Sequence, residues 1–394
     1  MFRCHTVLCS ATRRNSFVTP SEPCDYPVTA SLPPGSASFP MVAGSESEAL
    51  VHDLMVELES LRSQQRRTDD ALWTLVSSTL LFLMQLGFAM VESGMCRQVN
   101  VISTYAKNIL DFACGSLVAF AYSYHLAYGV DSFHLQSEGA SQIVHWFNYC
   151  VVQATAATII SGAMAERTSV VGYIILSVYA SALVIPLAVK AVWGGGFLAN
   201  LEPPFHDFAG SGVVHVVGGT MATCGASVIG SRIGRWDPKN QADFAPHDVK
   251  SMLGGVLILW VGWYGFNGGS AHNFSSDRGL MQASNAYLNT TLSGAAGGVA
   301  AVALSRGMSL WSAWKKGILG DHTEVDVQHL TNGILSGLVA ITAGCDVVSG
   351  WAALTIGTIS GLAYPQFSHL FGPVMHIDDV RSPPPRSSQS QHTT

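Results

Sequence analysis

Four residue types that bear chemistry fall close together in the middle of this chain. They are an indole at Trp193, a carboxylate at Asp207, an imidazole at His215 and, further on, the aromatic and polar run Trp260-Val-Gly-Trp263-Tyr-Gly-Phe266-Asn267-Gly-Gly-Ser270. His215 stands among Val and Gly, eight residues into an apolar run. An imidazole at that depth needs a hydrogen-bond partner, and burial favours its neutral form. It reads either as a pore-lining group that relays or accepts a proton, or as a helix-packing histidine with a backbone partner. Asp207 opens the same run. A carboxylate there can accept backbone N–H groups at a helix N-terminus and shape the entrance; a cation site is the alternative. Trp193 precedes three glycines that permit close backbone approach, so its indole face can meet a small cation; an interfacial anchor is the other reading. The Ser270 hydroxyl and the Asn267 amide, beside aromatic rings, can replace part of an ion's water shell or serve ordinary Gly/Ser helix packing.

These groups need a scaffold that buries them, and the composition supplies one. Only 12% of the 394 residues are charged, about half the share of a soluble domain, while 48% are hydrophobic and 39 are glycine. The fold class is therefore all-α: a polytopic membrane helix bundle packed through small residues. Nine apolar runs of about 20 residues are expected to span, at 71–92, 109–130, 142–164, 169–191, 208–230, 251–271, 282–304, 328–345 and 348–368. Pro186 and the glycines near run ends should bend or stop helices. A net charge of -6 gives nucleic acid no purchase. The eight cysteines lack metal-ligand spacing, and five of them lie in apolar stretches as small buried residues. There is no paired-carboxylate, nucleophile–base or metal constellation, so neither an enzyme nor a cofactor is indicated.

Residues 1–45 are rich in Ser, Thr and Pro and read as a disordered segment with a faint transit-peptide character. Residues 46–69 form a short amphipathic helix on the extracellular side, with Val51, Leu54, Leu58 and Leu61 in 3-4-3 spacing. That seam is too short to hold alone but suits packing against copies of itself. Residues 380–394 read as a disordered cytoplasmic tail.

Alternate loops carry Arg97 and Lys107; Arg167; Arg232, Arg235, Lys239 and Lys250; and Arg306, Lys315 and Lys316, against Lys190 and Arg278 in the other set. The basic set should face the cytoplasm, with the N-terminus outside and the C-terminus inside. Arg62, Arg66 and Arg67 run against that rule. Glu92, Arg97, Lys107, Asn108, Asp111, Glu166 and Arg167 gather at the cytoplasmic helix ends, where pairing or snorkelling is expected. Asn273-Phe-Ser275 is a glycosylation sequon on the outer side; Asn289-Thr-Thr291 falls inside a span and should be silent.

From about residue 70 to 379 the chain resembles the ammonium transporter (Amt/Mep/Rh) family. The resemblance rests on Leu86-Gly-Phe-Ala-Met-Val-Glu-Ser-Gly94, on Ala154-Thr-Ala-Ala-Thr-Ile-Ile-Ser-Gly-Ala-Met-Ala-Glu-Arg167 and on Asp207 to Gly219. It continues through Gly262 to Ser270, Gly337 to Cys345 and His376-Ile-Asp-Asp379. It implies a domain over 70–379 with about nine of eleven helices, one narrow pore per subunit, an inverted repeat and a trimer, placed in the plasma membrane. It implies that Trp193 and Ser270 recruit ammonium at an outer vestibule. Phe266 would belong to a phenylalanine gate, His215 would be the first of two pore histidines, and Asp207 a structural aspartate. An ion cannot cheaply enter a dry apolar pore, so ammonium is expected to lose its proton near the vestibule. Two departures follow. Asn148 and Val152 stand where the family places phenylalanine, so the gate should be looser. The pattern stops after Asp379, so helices ten and eleven are expected to be missing, with His215 lacking its twin. The implied partners are ammonium or ammonia, the lipid bilayer, and like chains or full-length paralogues in a trimer. The functional expectation is ammonium/ammonia transport, with a non-transporting regulatory or dominant-negative subunit as the alternative.

Overall fold

The computed structural model describes residues 46–315 and 326–379. The segments expected at 1–45 and 380–394 lie outside the described residues, as does Lys316. The chain divides into two units between Leu58 and Glu59. In the first unit the described residues are helical, and the described side chains from Glu48 to Leu58 are exposed.

The larger unit is built from helices. Nine longer ones occur among the described residues: α1 (Glu46–Met95), α2 (Gln98–Tyr128), α3 (Ala140–Met164), α4 (Val170–Val192), α5 (Ser211–Ile229), α6 (Val249–Gly269), α7 (Asp277–Lys315), α8 (Val327–Ile341) and α9 (Gly350–His369). Each expected span finds a helix, and α1 to α6 are long and apolar enough to cross a membrane. Of the last three, α8 is apolar but short, and α7 and α9 are diluted by the small residues through which they pack. Their meeting faces are Gly, Ala and Ser, which lower hydropathy while letting backbones close up. A Cβ on Gly337 or Gly357 would collide with the Ser293 carbonyl, and one on Gly361 with the Gly297 carbonyl.

One boundary differs from expectation. The amphipathic stretch 46–69 and the first span are a single 50-residue helix. No Gly or Pro lies between residues 45 and 86, so nothing breaks the hydrogen-bond ladder, and Asp69-Asp70 does not act as a cap.

Pro186 does bend its helix rather than end it. The chain widens into a π-helical turn at Ala180–Val184, which absorbs the ring and the missing N–H, and then continues as Ile185–Val192. Side-chain bonds tie α3 to α1: Asn148 Nδ2 donates to Ser78 Oγ at 3.0 Å, and Thr158 Oγ1 to Gln85 Oε1 at 2.7 Å. Helix α6 lies along α1, where a Cβ on Gly255 would meet the Gly87 carbonyl at 2.8 Å.

Candidate functional site

The loop from Trp193 to Gly210 delivers the chain into α5. Asp207 governs how it enters. Its Oδ1 accepts the Gly210 N–H at 2.9 Å, and its Oδ2 accepts those of Gly212 at 2.9 Å and Val213 at 3.0 Å. Those amides are the orphan donors of the new helix, and a buried carboxylate is the strongest acceptor for them. The Asp207 backbone carbonyl accepts from Trp193 Nε1 at 2.7 Å, so one residue fixes both the indole and the helix start. Gly210 sits at φ 109, a left-handed conformation, and a Cβ there would come 3.2 Å from the Trp193 ring. The start of α5 is also pinned to the end of α8: Ser211 Oγ donates to the Val339 carbonyl and accepts from the Ala343 N–H, both at 2.8 Å.

The first turn and a half of α5, Ser211–Val216, is π-helical. Wide turns of this kind are often found at functional sites. Here it carries His215, which is 7% exposed. The imidazole lies nearly parallel to the Trp263 indole, with ring centres 5.3 Å apart and planes 16° apart, and its centre is 5.5 Å from that of Phe266. Its Nε2 is buried without a hydrogen-bond partner among the described residues. The backbone partner expected for a packing histidine is therefore missing at that nitrogen.

Helix α6 carries the opposite wall. Trp263 and Phe266, three residues apart, share one helix face and are both buried. Trp263 Nε1 donates to Thr342 Oγ1 at 3.0 Å, which locks the indole beneath His215. One turn on, Ser270 Oγ donates to the Phe266 carbonyl at 2.9 Å, leaving its oxygen lone pairs able to accept. Asn267 Nδ2 donates to Thr290 Oγ1 at 2.8 Å, and its Oδ1 is buried without a hydrogen-bond partner.

The expected residues are thus linked in sequence by contacts: Trp193 to Asp207, Asp207 to the turn bearing His215, His215 to Phe266, and Phe266 to Ser270. Val152 is half-buried on α3 and brings no second ring, and Asn148 is used in bracing α1. Asn289, in the inner sequon, is buried and donates at 2.8 Å to the Cys345 and Val348 carbonyls.

Sequence reasoning missed two things. Trp263, quoted only as part of a run, is the floor under His215; its spacing of three from Phe266 was the available signal. The other is an ion-pair centre outside the spans, where Arg232 and Arg235 appeared only as topology markers. Arg232 donates to Asp378 through its backbone N–H at 3.0 Å, Nε at 2.7 Å and Nη2 at 2.9 Å, and through Nη1 to Glu166. Arg235 Nε reaches Asp378 at 3.1 Å. Glu166, in the left-handed region at φ 66, also accepts from Arg97 N and Nε, each at 2.9 Å, and from Asn100 at 2.8 Å. The Phe244 ring stacks under three of the guanidinium groups, those of Arg97, Arg232 and Arg235. Burial on its own would push both carboxyls up. The hydrogen bonds from Arg232, with Arg97 added at Glu166, outweigh burial and hold each at about 2.

Other pairings expected among the helix-end polar residues are also present. Glu92 accepts from Asn108 at 3.1 Å and Ser161 at 3.0 Å, and Asp111 accepts from Tyr173 at 2.6 Å. The Lys107 ammonium lies 5.4 Å from the Tyr173 ring centre.

Six helices long and apolar enough to cross a membrane, with a buried imidazole walled by aromatic rings among them, mark an integral membrane protein. The profile of the Ammonium Transporter Family matches residues 72–381, and the chain belongs to that family. The family is one of transporters, not enzymes. Over 322 residues it is 37% identical to ammonium transporter Amt2 of Archaeoglobus fulgidus, covering 77% of this chain and 65% of that protein. Over 310 residues it is 32% identical to ammonium transporter 3 of Dictyostelium discoideum, covering 75% and 67%. It therefore spans about two thirds of the length of the curated relatives it matches. Among solved structures it is similar to a sensor Amt protein, with TM-score 0.71, 29% identity and coverage of 81% of this chain and 79% of that one. Its fold also matches Mep2 of Candida albicans, with TM-score 0.65 at 24% identity, covering 79% and 68%.

Proposed function

We propose that this chain takes part in moving ammonium, as ammonia, across a membrane, and that the path runs beside His215. The observation that carries the reading is the His215 ring itself, packed face to face on Trp263 and beside Phe266, with its Nε2 buried and unpartnered. A nitrogen kept dry and unbonded costs about 1–3 kcal/mol, and a passing small amine would offset that cost each time it binds. Trp193 and Ser270 recruit the cation, one through its indole face and the other through hydroxyl lone pairs. Phe266 narrows the way between them and His215. Leaving the proton behind before that ring avoids the several kcal/mol cost of taking an ion into apolar surroundings. Asp207 and Asn267 hold the walls in place. The path opens at the plasma membrane with the N-terminus outside, and copies stand side by side as a trimer.

The test is ammonium-dependent current or internal alkalinisation in proteoliposomes. The full chain should give a signal that His215→Ala removes. A silent wild-type chain that lowers the signal of a conducting relative when the two are co-reconstituted would instead favour a regulatory subunit. The single ring at the gate, with Val152 in place of an aromatic, supports that second reading.

A further inference from the structure

The first turns of α1 present an apolar seam that is exposed among the described residues. Val51, Leu54, Leu58 and Leu61 are each at least 40% exposed, and Leu50 and Met55 beside them are 61% and 53% exposed. In a heptad frame Val51 and Leu58 take position a, and Leu54 and Leu61 take position d. Leu50 and Glu57 then fall at g, and Met55 and Arg62 at e. In a parallel pair, g of one helix faces e of the next, five residues on, so Glu57 meets Arg62. In an antiparallel pair with the same apolar residues facing, g meets g at the centre, which sets Glu57 against Glu57. The parallel arrangement is free of that repulsion. Membrane insertion imposes the same one, because every copy of α1 runs in one direction through the bilayer.

We propose that residues 50–62 of α1 pair with the same residues of neighbouring copies as a short parallel coiled coil. Two heptads are too few to associate from solution. Copies already adjacent in the membrane make the step intramolecular, at high effective concentration. The proposal rests on the side-by-side assembly put forward above.

Cysteine cross-linking in native membranes tests it, in the full chain carrying Cys4→Ser, Cys9→Ser and Cys24→Ser. Leu54→Cys and Leu61→Cys should give roughly tenfold more covalent dimer than Ser60→Cys and Ser63→Cys, because d positions face one another while c and f positions point away. Adding Glu57→Arg should lower the seam yield, and adding Arg62→Glu to that variant should restore it. Equal yields at all four positions, no dimer, or adducts only to another protein overturn the proposal. Mass measured in mild detergent separates the two possible failures. An oligomer without seam-selective cross-links overturns the coiled coil alone; a monomer overturns the side-by-side assembly with it.

Discussion

The Trp193–His215–Ser270 region and the Glu166–Arg232–Asp378 centre use polar groups in opposite ways. In the second, the two carboxylates are fully buried and each meets several donors, so charge is cancelled locally and four stretches of backbone, around Arg97, Glu166, Arg232 and Asp378, are clamped together. In the first, His215 Nε2 and Asn267 Oδ1 are left with no hydrogen-bond partner among the described residues. Satisfied ionic groups hold a conformation; an unsatisfied dry nitrogen is what the proposed passage of ammonia would use. Asp207 shows both habits in one residue. It spends its carboxylate on three backbone amides and so gives the turn carrying His215 its shape.

Breaking the satisfied centre should have the largest effect. Arg232→Ala leaves Glu166 and Asp378 buried with fewer donors, a class of change that costs about 3–5 kcal/mol, and thermal unfolding in detergent should show a large fall. Asp207→Ala frees three amides at once and should cost about 2–3 kcal/mol, read in the same way. A pH titration of stability should report the ionic centre. Both carboxyls lie at about 2 in the fold, below their ordinary values of 4.5 and 3.8. Depressed values stabilise the fold above about pH 4.5, and that contribution drains away as pH falls towards 2. Arg232→Ala should flatten the acid limb of the curve.

Trp263→Phe keeps the ring under His215 but removes the bond to Thr342, for about 1 kcal/mol. Trp193→Leu should weaken apparent ammonium affinity by about 2- to 30-fold, the range that a cation–π contact spans, measured by the concentration dependence of the current. The smallest stability change belongs to His215→Phe. It keeps a ring against Trp263, and the gain from deleting a buried orphan nitrogen offsets the cost of fitting a larger ring, so unfolding should move by less than about 1 kcal/mol. Loss of transport without loss of stability would separate the two regions cleanly. A large destabilisation would mean that His215 is a packing residue after all.

Much of this was legible in the chain. Nine apolar runs became helices because hydrocarbon leaves backbone amides no partner but their own ladder. The residues from Trp193 to Ser270 were legible as a group because each is costly in apolar surroundings. The ion-pair centre was not, since Glu166, Arg232 and Asp378 are far apart in sequence and charges at loop positions look alike whether solvated or buried. Nor was the merging of 46–69 into α1, because the change from a charged amphipathic stretch to an apolar run marks a change of surroundings and not a break in the helix.

The sequence by itself determined the class of solvent, the number of long helices and the residue types available to the path, because composition and period act locally. Only the tertiary structure decided which ring lies beneath His215, which nitrogen goes unpaired and which arginines meet which carboxylates. Those are properties of distance between segments, and they come into being when α5, α6 and α8 close on one another.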